Sequence, residues 1–223
     1  KFILFVGLLA LPISMFIWWY DVTVEATYEG HHTSVVQYGM KWGMILFIAS
    51  EVMLFFSFFW AFFACSLSPT IDIGAVFPPK GIAVMNPNEI PFLNTLILLT
   101  SGATLTWAHH ACVSGIRSQA IVGILITLVL AFLFTGLQVF EYFEAGFNIT
   151  DSVYGSTFYM ATGFHGFHVI IGSLFILVCF LRLIRHHFSK THHFGFEGAA
   201  YYWHFVDVVW LFLYVVVYHW GGL

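Results

Sequence analysis

Six long stretches of this sequence are almost free of charge: residues 2–20, 42–71, 90–116, 118–140, 152–181 and 198–223. Glu51 and Asp207 are the only charged residues inside them. A helix that crosses a bilayer needs about 20 mostly apolar residues, and its backbone polar groups must be satisfied within the segment. The sequence therefore predicts an all-α, polytopic membrane bundle with six transmembrane helices.

The composition excludes other classes of protein. Only 8% of the residues are charged, whereas a soluble domain has about 25%. Membrane β-strands alternate polar and apolar residues, and residues 47–63 and 169–181 show no such alternation. The net charge of −4 argues against a nucleic acid as partner. The three cysteines are far apart and form no CxxC pair, so they predict neither a disulfide framework nor a thiolate metal site.

A segment rich in proline and glycine divides the chain. Five of the six prolines lie between residues 66 and 91, and proline and glycine at this density end helices. We therefore expect a two-helix part (1–66), an irregular connection (67–89) and a four-helix part (90–223). The first segment ends in an aromatic pair, Trp18 and Trp19, which is typical of a membrane interface and not of a cleaved signal peptide.

The basic residues predict the orientation of the bundle. With six spans, residues 21–41, 111–119 and 182–196 fall on one side, and they hold five of the seven Lys and Arg residues. Positive loops remain on the cytoplasmic or matrix side of a membrane. We expect these three loops to face that side.

Two charged residues lie inside predicted spans, where a charge costs at least about 2.5–3.5 kcal/mol. Glu51 lies near the middle of its apolar run, and apolar surroundings favour a neutral carboxyl. It is a candidate proton carrier, or else a protonated acid bonded to a neighbouring helix. Asp207 follows His204 by three residues, so the two share a helix face. We interpret them as a structural pair.

Twelve histidines include four adjacent pairs, and most lie on the predicted matrix side. Histidine is a common metal ligand, so haem or copper ligation is one interpretation. Adjacent histidines point about 100° apart on a helix and chelate poorly. The residues thus favour no metal. The arginines at the ends of spans on this side have two interpretations. They either bind phosphate headgroups or only determine the orientation of the chain in the membrane.

Four stretches resemble the subunit III family of cytochrome c oxidase, and they cover almost the whole chain: residues 30–63, 90–110, 141–173 and 192–221. The sequences GFHGFHV at 163–169 and YWHFVDVVWLFLY at 202–214 would each suggest the family alone. The chain is more similar to the compact mitochondrial form than to bacterial ones.

The resemblance implies a role inside a respiratory oxidase that carries electrons from cytochrome c to oxygen and pumps protons. It implies no redox centre, cofactor or metal in this chain, since haem a and copper lie in partner subunits. It implies contact with subunit I, and also with subunit II and small accessory subunits, in the mitochondrial inner membrane. Subunit III would stabilise subunit I, protect the oxidase during turnover and sustain proton uptake.

The resemblance also implies site residues. Glu51 matches the family's buried glutamate, which reacts with hydrophobic carbodiimides. Phospholipids fill a V-shaped cleft in the family, and the positions that match its lipid contacts are Trp19, Glu25, His32, His168 and Arg182.

The family has seven helices, with one before the span that ends at Trp18 and Trp19. We therefore expect either that the sequence lacks its beginning or that a separate short polypeptide supplies this helix. The completeness of the lipid cleft depends on which of these two alternatives is correct. Three alternatives stay open from the residues. They are subunit III of a quinol oxidase, a membrane cytochrome that binds haem through its histidines, and a proton-conducting transporter built around Glu51 and Asp207.

Overall fold

The computed structural model describes residues 1–222. Most of these residues are helical, and none of them forms a β-strand. Six long helices follow one another along the chain: α1 (Phe2–Val24), α2 (Ser34–Leu67), α3 (Ile90–Ser114), α4 (Arg117–Glu144), α5 (Ser152–Ile184) and α6 (Phe194–Leu213). All six are long and apolar enough to cross a membrane. The prediction of an all-α bundle with six membrane helices is confirmed.

Several helices extend beyond the charge-free stretches. α2 begins at Ser34 and ends at Leu67, so Lys41 lies inside the helix and not in the loop that we expected. α6 begins at Phe194 and includes Glu197 in its first turn, and α5 includes Arg182 in its last turn. Charges at these ends complement the helix dipole, and long cationic side chains reach from a buried helix to the interface. Counting uncharged residues therefore underestimates the lengths of α1, α2, α4 and α5.

The chain separates into two compact units, Lys1–Ile45 and the remainder from Leu46 onward. In the first unit, α1 continues into one turn of wider π-type helix, Glu25–Glu29, and this turn ends at Gly30 in the left-handed conformation. No residue of α1 is buried within the protein. The predicted division into three parts at residues 66 and 89 remains a prediction.

The second unit contains the core, where α3 packs on α4 and α6, and α5 packs on α4 and α6. Small residues bring the helix axes close together: a Cβ atom on Gly123 of α4 would lie 2.8 Å from the Cβ of Ala108 in α3. Membrane helices associate through such close approaches and through hydrogen bonds between helices, because lipid is as apolar as the side chains.

Buried hydroxyl groups join the helices of this bundle. Trp203 and Trp210 of α6 donate indole N–H groups to Ser101 and Thr95 of α3, each at 2.9 Å. At one end of the bundle, Arg117 at the start of α4 donates to the carbonyl of Leu183 at 3.1 and 3.2 Å and also to that of Ile184. The Leu183 carbonyl also accepts from the backbone N–H of His186 at 3.1 Å, so Arg117 adds to the capping of α5 and holds two helix ends together.

Candidate functional site

Glu51 of α2 and His168 of α5 meet inside the second unit. Glu51 Oε2 lies 2.7 Å from His168 Nε2, and the side chains are 20% and 6% exposed. From the sequence we assigned Glu51 to proton chemistry and His168 to lipid contact, and nothing in their spacing of 117 residues placed them together. The structure brings them into direct contact.

The other ring nitrogen of His168 determines where the protons of this pair lie. His168 Nδ1 is 2.7 Å from the carbonyl oxygen of Phe164. A carbonyl only accepts hydrogen bonds, so Nδ1 carries a hydrogen. Nε2 then either accepts a proton from a neutral Glu51 carboxyl or donates one to its carboxylate. One proton therefore lies between Oε2 and Nε2, and the pair has no net charge in either state.

Aromatic rings surround the pair. The ring of Phe55 contacts His168 edge to face at 5.0 Å, Tyr202 stacks on it at 6.2 Å and Phe205 lies at 6.1 Å. An environment of low polarity strengthens a hydrogen bond and penalises an isolated charge. The arrangement therefore suits a pair that moves a proton between its two members without acquiring a net charge.

His204 and Asp207 of α6 form the pair expected from their spacing, with His204 Nδ1 3.2 Å from Asp207 Oδ2. His204 Nε2 lies 3.1 Å from the hydroxyl of Thr106 in α3. Asp207 is 7% exposed, and its Oδ1 atom is buried without a hydrogen-bond partner. The pair thus connects α6 to α3, although the sequence did not indicate Thr106.

Arg182 lies where α5 ends and α6 begins. Its guanidinium carbon is 4.5 Å from the centre of the Phe188 ring, and its Nη1 atom lies beside Gly195 in the first turn of α6. The pKa of nearby His187 is lowered, first by burial and then by the positive charges of Arg182 and Arg185. A cation next to a helix N-terminus provides positive potential from two sources, which suits a phosphate group.

The other three predicted lipid contacts belong to the first unit. Trp19 stacks on Trp18 with ring centres 6.2 Å apart, and Glu25 begins the π-type turn. The carbonyl of His32 accepts a hydrogen bond from Gln37 at 2.9 Å. Their role in lipid binding stays a prediction.

Sequence reasoning missed one buried acid, Glu141. The charge-free stretch ends at residue 140, so Glu141 fell outside the predicted span, whereas α4 continues to Glu144. Glu141 is 4% exposed and lies within reach of the Tyr218 and Gln138 side chains. The available signal was its position directly after the charge-free run 118–140.

The histidine-rich end of the second unit brings His109 and His193 to a ring separation of 5.4 Å. Among residues 1–222, no group of three or more His, Cys, Asp or Glu side chains is placed to hold a metal ion. The geometry thus provides a buried acid–imidazole pair and a cationic helix junction in a bundle of helices long and apolar enough to cross a membrane, which defines the chain as a polytopic membrane protein.

Comparison with known proteins identifies the family. Residues 1–222 match the family described as "Cytochrome c oxidase subunit III". Proteins named "Cytochrome c oxidase subunit 3" are 65% identical over 220 residues in Prototheca wickerhamii, 61% identical over 220 residues in Marchantia polymorpha and 60% identical over 221 residues in Arabidopsis thaliana. Each alignment covers 99% of this chain, and 84%, 83% and 83% of the respective relative. The chain belongs to the cytochrome c oxidase subunit III family, which confirms the resemblance found in its sequence and the oxidase role that the resemblance implies.

We predict different effects for two substitutions of Glu51. In Glu51→Gln, the amide can donate to His168 Nε2 and preserve the contact. In Glu51→Leu, that buried nitrogen loses its partner, which costs about 1–3 kcal/mol. The midpoint of thermal unfolding of the purified oxidase should fall for Glu51→Leu and remain near the wild-type value for Glu51→Gln. Equal midpoints for the two variants would show that the hydrogen bond does not stabilise the bundle.

Proposed function

We propose that this chain works as the non-redox subunit III of a cytochrome c oxidase in the mitochondrial inner membrane. There it would support electron transfer from cytochrome c to oxygen, coupled to proton pumping, by stabilising subunit I, holding phospholipids and sustaining proton uptake. The observation that carries the proposal is the family match over residues 1–222. Haem a and copper would belong to the partner subunits.

The proton part of this proposal rests on the Glu51–His168 pair. The pair has one mobile proton, which lies between Glu51 Oε2 and His168 Nε2, 2.7 Å apart. The other ring nitrogen, Nδ1, is held by the Phe164 carbonyl and takes no part. Such a pair can move its shared proton from one atom to the other while it remains neutral overall. It would thereby keep a proton available at this depth without the cost of a lone charge in lipid.

The lipid part rests on the junction of α5 and α6. Arg182 has the planar donor geometry that binds phosphate oxygens in pairs, and the first turn of α6 directs backbone N–H groups to the same place. Burial is the main cause of the lowered pKa of His187, and the positive charges of Arg182 and Arg185 add to it; the same charges would attract an anionic headgroup. A phospholipid held here would contribute to keeping the helix ends together. We extend the same role to Trp19, Glu25, His32 and His168.

Purification of the native complex through a tag on this chain tests the proposal as a whole. We expect haem a absorbance, subunits I and II and small accessory subunits in the purified sample, and oxygen consumption with cytochrome c as electron donor. Activity with quinol and not with cytochrome c would assign the chain to a quinol oxidase. Haem retained by the chain in the absence of other subunits would contradict the non-redox role.

Glu51→Gln separates proton supply from structure, because glutamine keeps the contact with His168 and lacks the mobile proton. We predict that the variant oxidase assembles with the normal haem a content and takes up protons more slowly during turnover in lipid vesicles. Glu141→Gln is a matched control, since Glu141 is also buried in a helix of the second unit but does not contact His168. A wild-type rate of proton uptake in Glu51→Gln would limit the pair to a structural role.

For lipid binding we predict that Arg182→Gln reduces the phospholipid retained by the purified complex. Arg185→Gln is the control, because Arg185 is exposed and lies only three residues away. Lipid phosphorus per haem a measures the effect. The same loss in both variants would indicate a general effect of positive charge, and no loss in Arg182→Gln would remove the proposed headgroup site.

A further inference from the structure

A cluster of buried polar side chains lies at the end of the second unit where α3 begins and α4 ends. Its members are Asn94 of α3, Gln138 and Glu141 of α4, and Tyr218 in the wider π-type turn Tyr214–His219 that follows α6. All four are at most 6% exposed. The cluster is separate from the groups that carry the proposed function.

Hydrogen bonds connect the cluster across three elements. Asn94 Nδ2 donates to Gln138 Oε1 at 3.4 Å, and Gln138 Nε2 donates to the Tyr218 hydroxyl at 3.3 Å. Because that hydroxyl oxygen accepts from Gln138, its own hydrogen is available to another acceptor, and the Glu141 carboxyl is within its reach. Glu141 is thus the acidic member of a chain of contacts that ties the turn after α6 to α3 and α4.

Glu141 has no cation beside it to balance a negative charge. Among the residues that the structure describes, none of the ion pairs within 4 Å involves it. Apart from the tyrosine of the turn, the titratable groups near it are two phenols with acceptors of their own. Tyr142 donates to Thr162 at 2.7 Å, and Tyr159 of α5 donates to the Phe147 carbonyl at 2.8 Å. A buried carboxylate without a positive partner is strongly disfavoured, so the surroundings favour a neutral Glu141.

The cluster is also short of hydrogens. Asn94 Oδ1 is buried and has no hydrogen-bond partner, and a buried acceptor without a donor is unfavourable. Release of the Glu141 proton would remove one more hydrogen from the cluster and leave a negative charge in its place. Both effects favour the bound proton as long as the cluster stays closed to water.

The turn Tyr214–His219 is the part of this cluster that can move. α3 and α4 are fixed to each other along their length, by the close approach at Gly123 and by a hydrogen bond of 2.8 Å between Thr104 and Thr127. The turn is short, and π-type turns are rare and are found frequently at functional sites. A charge on Glu141 would therefore be relieved by movement of the turn and not by separation of the two helices.

We propose that Glu141 is a proton-binding site whose bound proton holds the turn Tyr214–His219 against α3 and α4. Loss of the proton places an unbalanced charge in the cluster, and the turn then moves away so that water reaches the carboxylate. The site differs from the Glu51–His168 pair, where the proton is shared with an imidazole and the net charge stays constant. The inference does not depend on the oxidase role, because it rests only on the side chains of the cluster.

Hydrogen–deuterium exchange of the native complex in lipid nanodiscs tests the proposal. Peptide mass spectrometry gives the protection of the amides of residues 214–219 at each pH, after correction for the chemical rate of exchange. The closed turn binds one proton more than the open turn, so protection should fall by about ten-fold per pH unit as the pH rises above the ordinary carboxyl range. It should become constant once Glu141 ionises in the closed turn. Protection that is the same in the wild-type complex from about pH 5 to about pH 9 would overturn the proposal.

Two glutamine variants separate Glu141 from the other acids at this end of the bundle. Glu141→Gln keeps a neutral side chain that forms hydrogen bonds and has no proton to release, so the protection of residues 214–219 should no longer depend on pH. Glu144→Gln is the matched control, because Glu144 is exposed and lies three residues further along α4. It should retain the wild-type pH dependence. A pH dependence that persists in Glu141→Gln, or is lost in both variants, would contradict a proton-binding site at Glu141.

Tyr218→Phe tests whether the hydrogen bonds of the cluster hold the turn. Phenylalanine keeps the ring, whose centre lies 5.3 Å from that of Phe158, but it lacks the hydroxyl between Gln138 and Glu141. We expect the protection of residues 214–219 to fall by about ten-fold, the effect of one lost hydrogen bond. Unchanged protection would show that packing alone holds the turn and would overturn the proposal. The wild-type pH series decides the proposal even where a variant fails to assemble.

Discussion

Every polar group that this chain carries into the membrane has to find its partner within protein, because lipid offers none. The structure meets this requirement for most of its buried polar groups, and Oδ1 of Asp207 is an exception. Backbone groups are paired inside six long helices, and the last carbonyls of α5 are capped by Arg117. Tryptophan indoles donate to hydroxyl groups on α3. The same constraint determines where the ionisable residues lie.

The two acids expected to have special roles are both paired with a histidine. In each pair one ring nitrogen is committed elsewhere, to the Phe164 carbonyl for His168 and to Thr106 for His204. The other nitrogen shares a single proton with a carboxyl group, so each pair remains neutral overall. Glu51–His168 is enclosed by aromatic rings, whereas His204 is partly uncovered on the outer face. The enclosure of the first pair leads us to propose proton supply for Glu51–His168.

Membership of the oxidase family and this geometry support each other. The proposed role acts through packing, bound lipid and local proton supply, and the chain has a structural feature suited to each. The close approach of helices at Gly123 suits packing, the Arg182 junction suits an anionic headgroup, and the Glu51 pair suits a mobile proton. None of these three features requires a metal ligand from this chain.

The sequence by itself determined the fold class, the six spans and the family. The number of spans follows from the number of stretches of about 20 residues that are almost free of charge. The contact between His204 and Asp207 follows from helix periodicity, because residues three apart share a face. The limits of α2 and α6 were wrong by several residues, because Lys41 and Glu197 are tolerated near helix ends. Glu141 was missed for the same reason.

Only the tertiary structure decided which distant residues meet. Glu51 and His168 are 117 residues apart, and Thr106 and His204 are 98 apart. Helix periodicity predicts which residues share a face, but it contains no information on which face of another helix lies opposite. That choice depends on the packing of small residues such as Gly123 and on the pairing of buried polar groups, and both are properties of the assembled bundle.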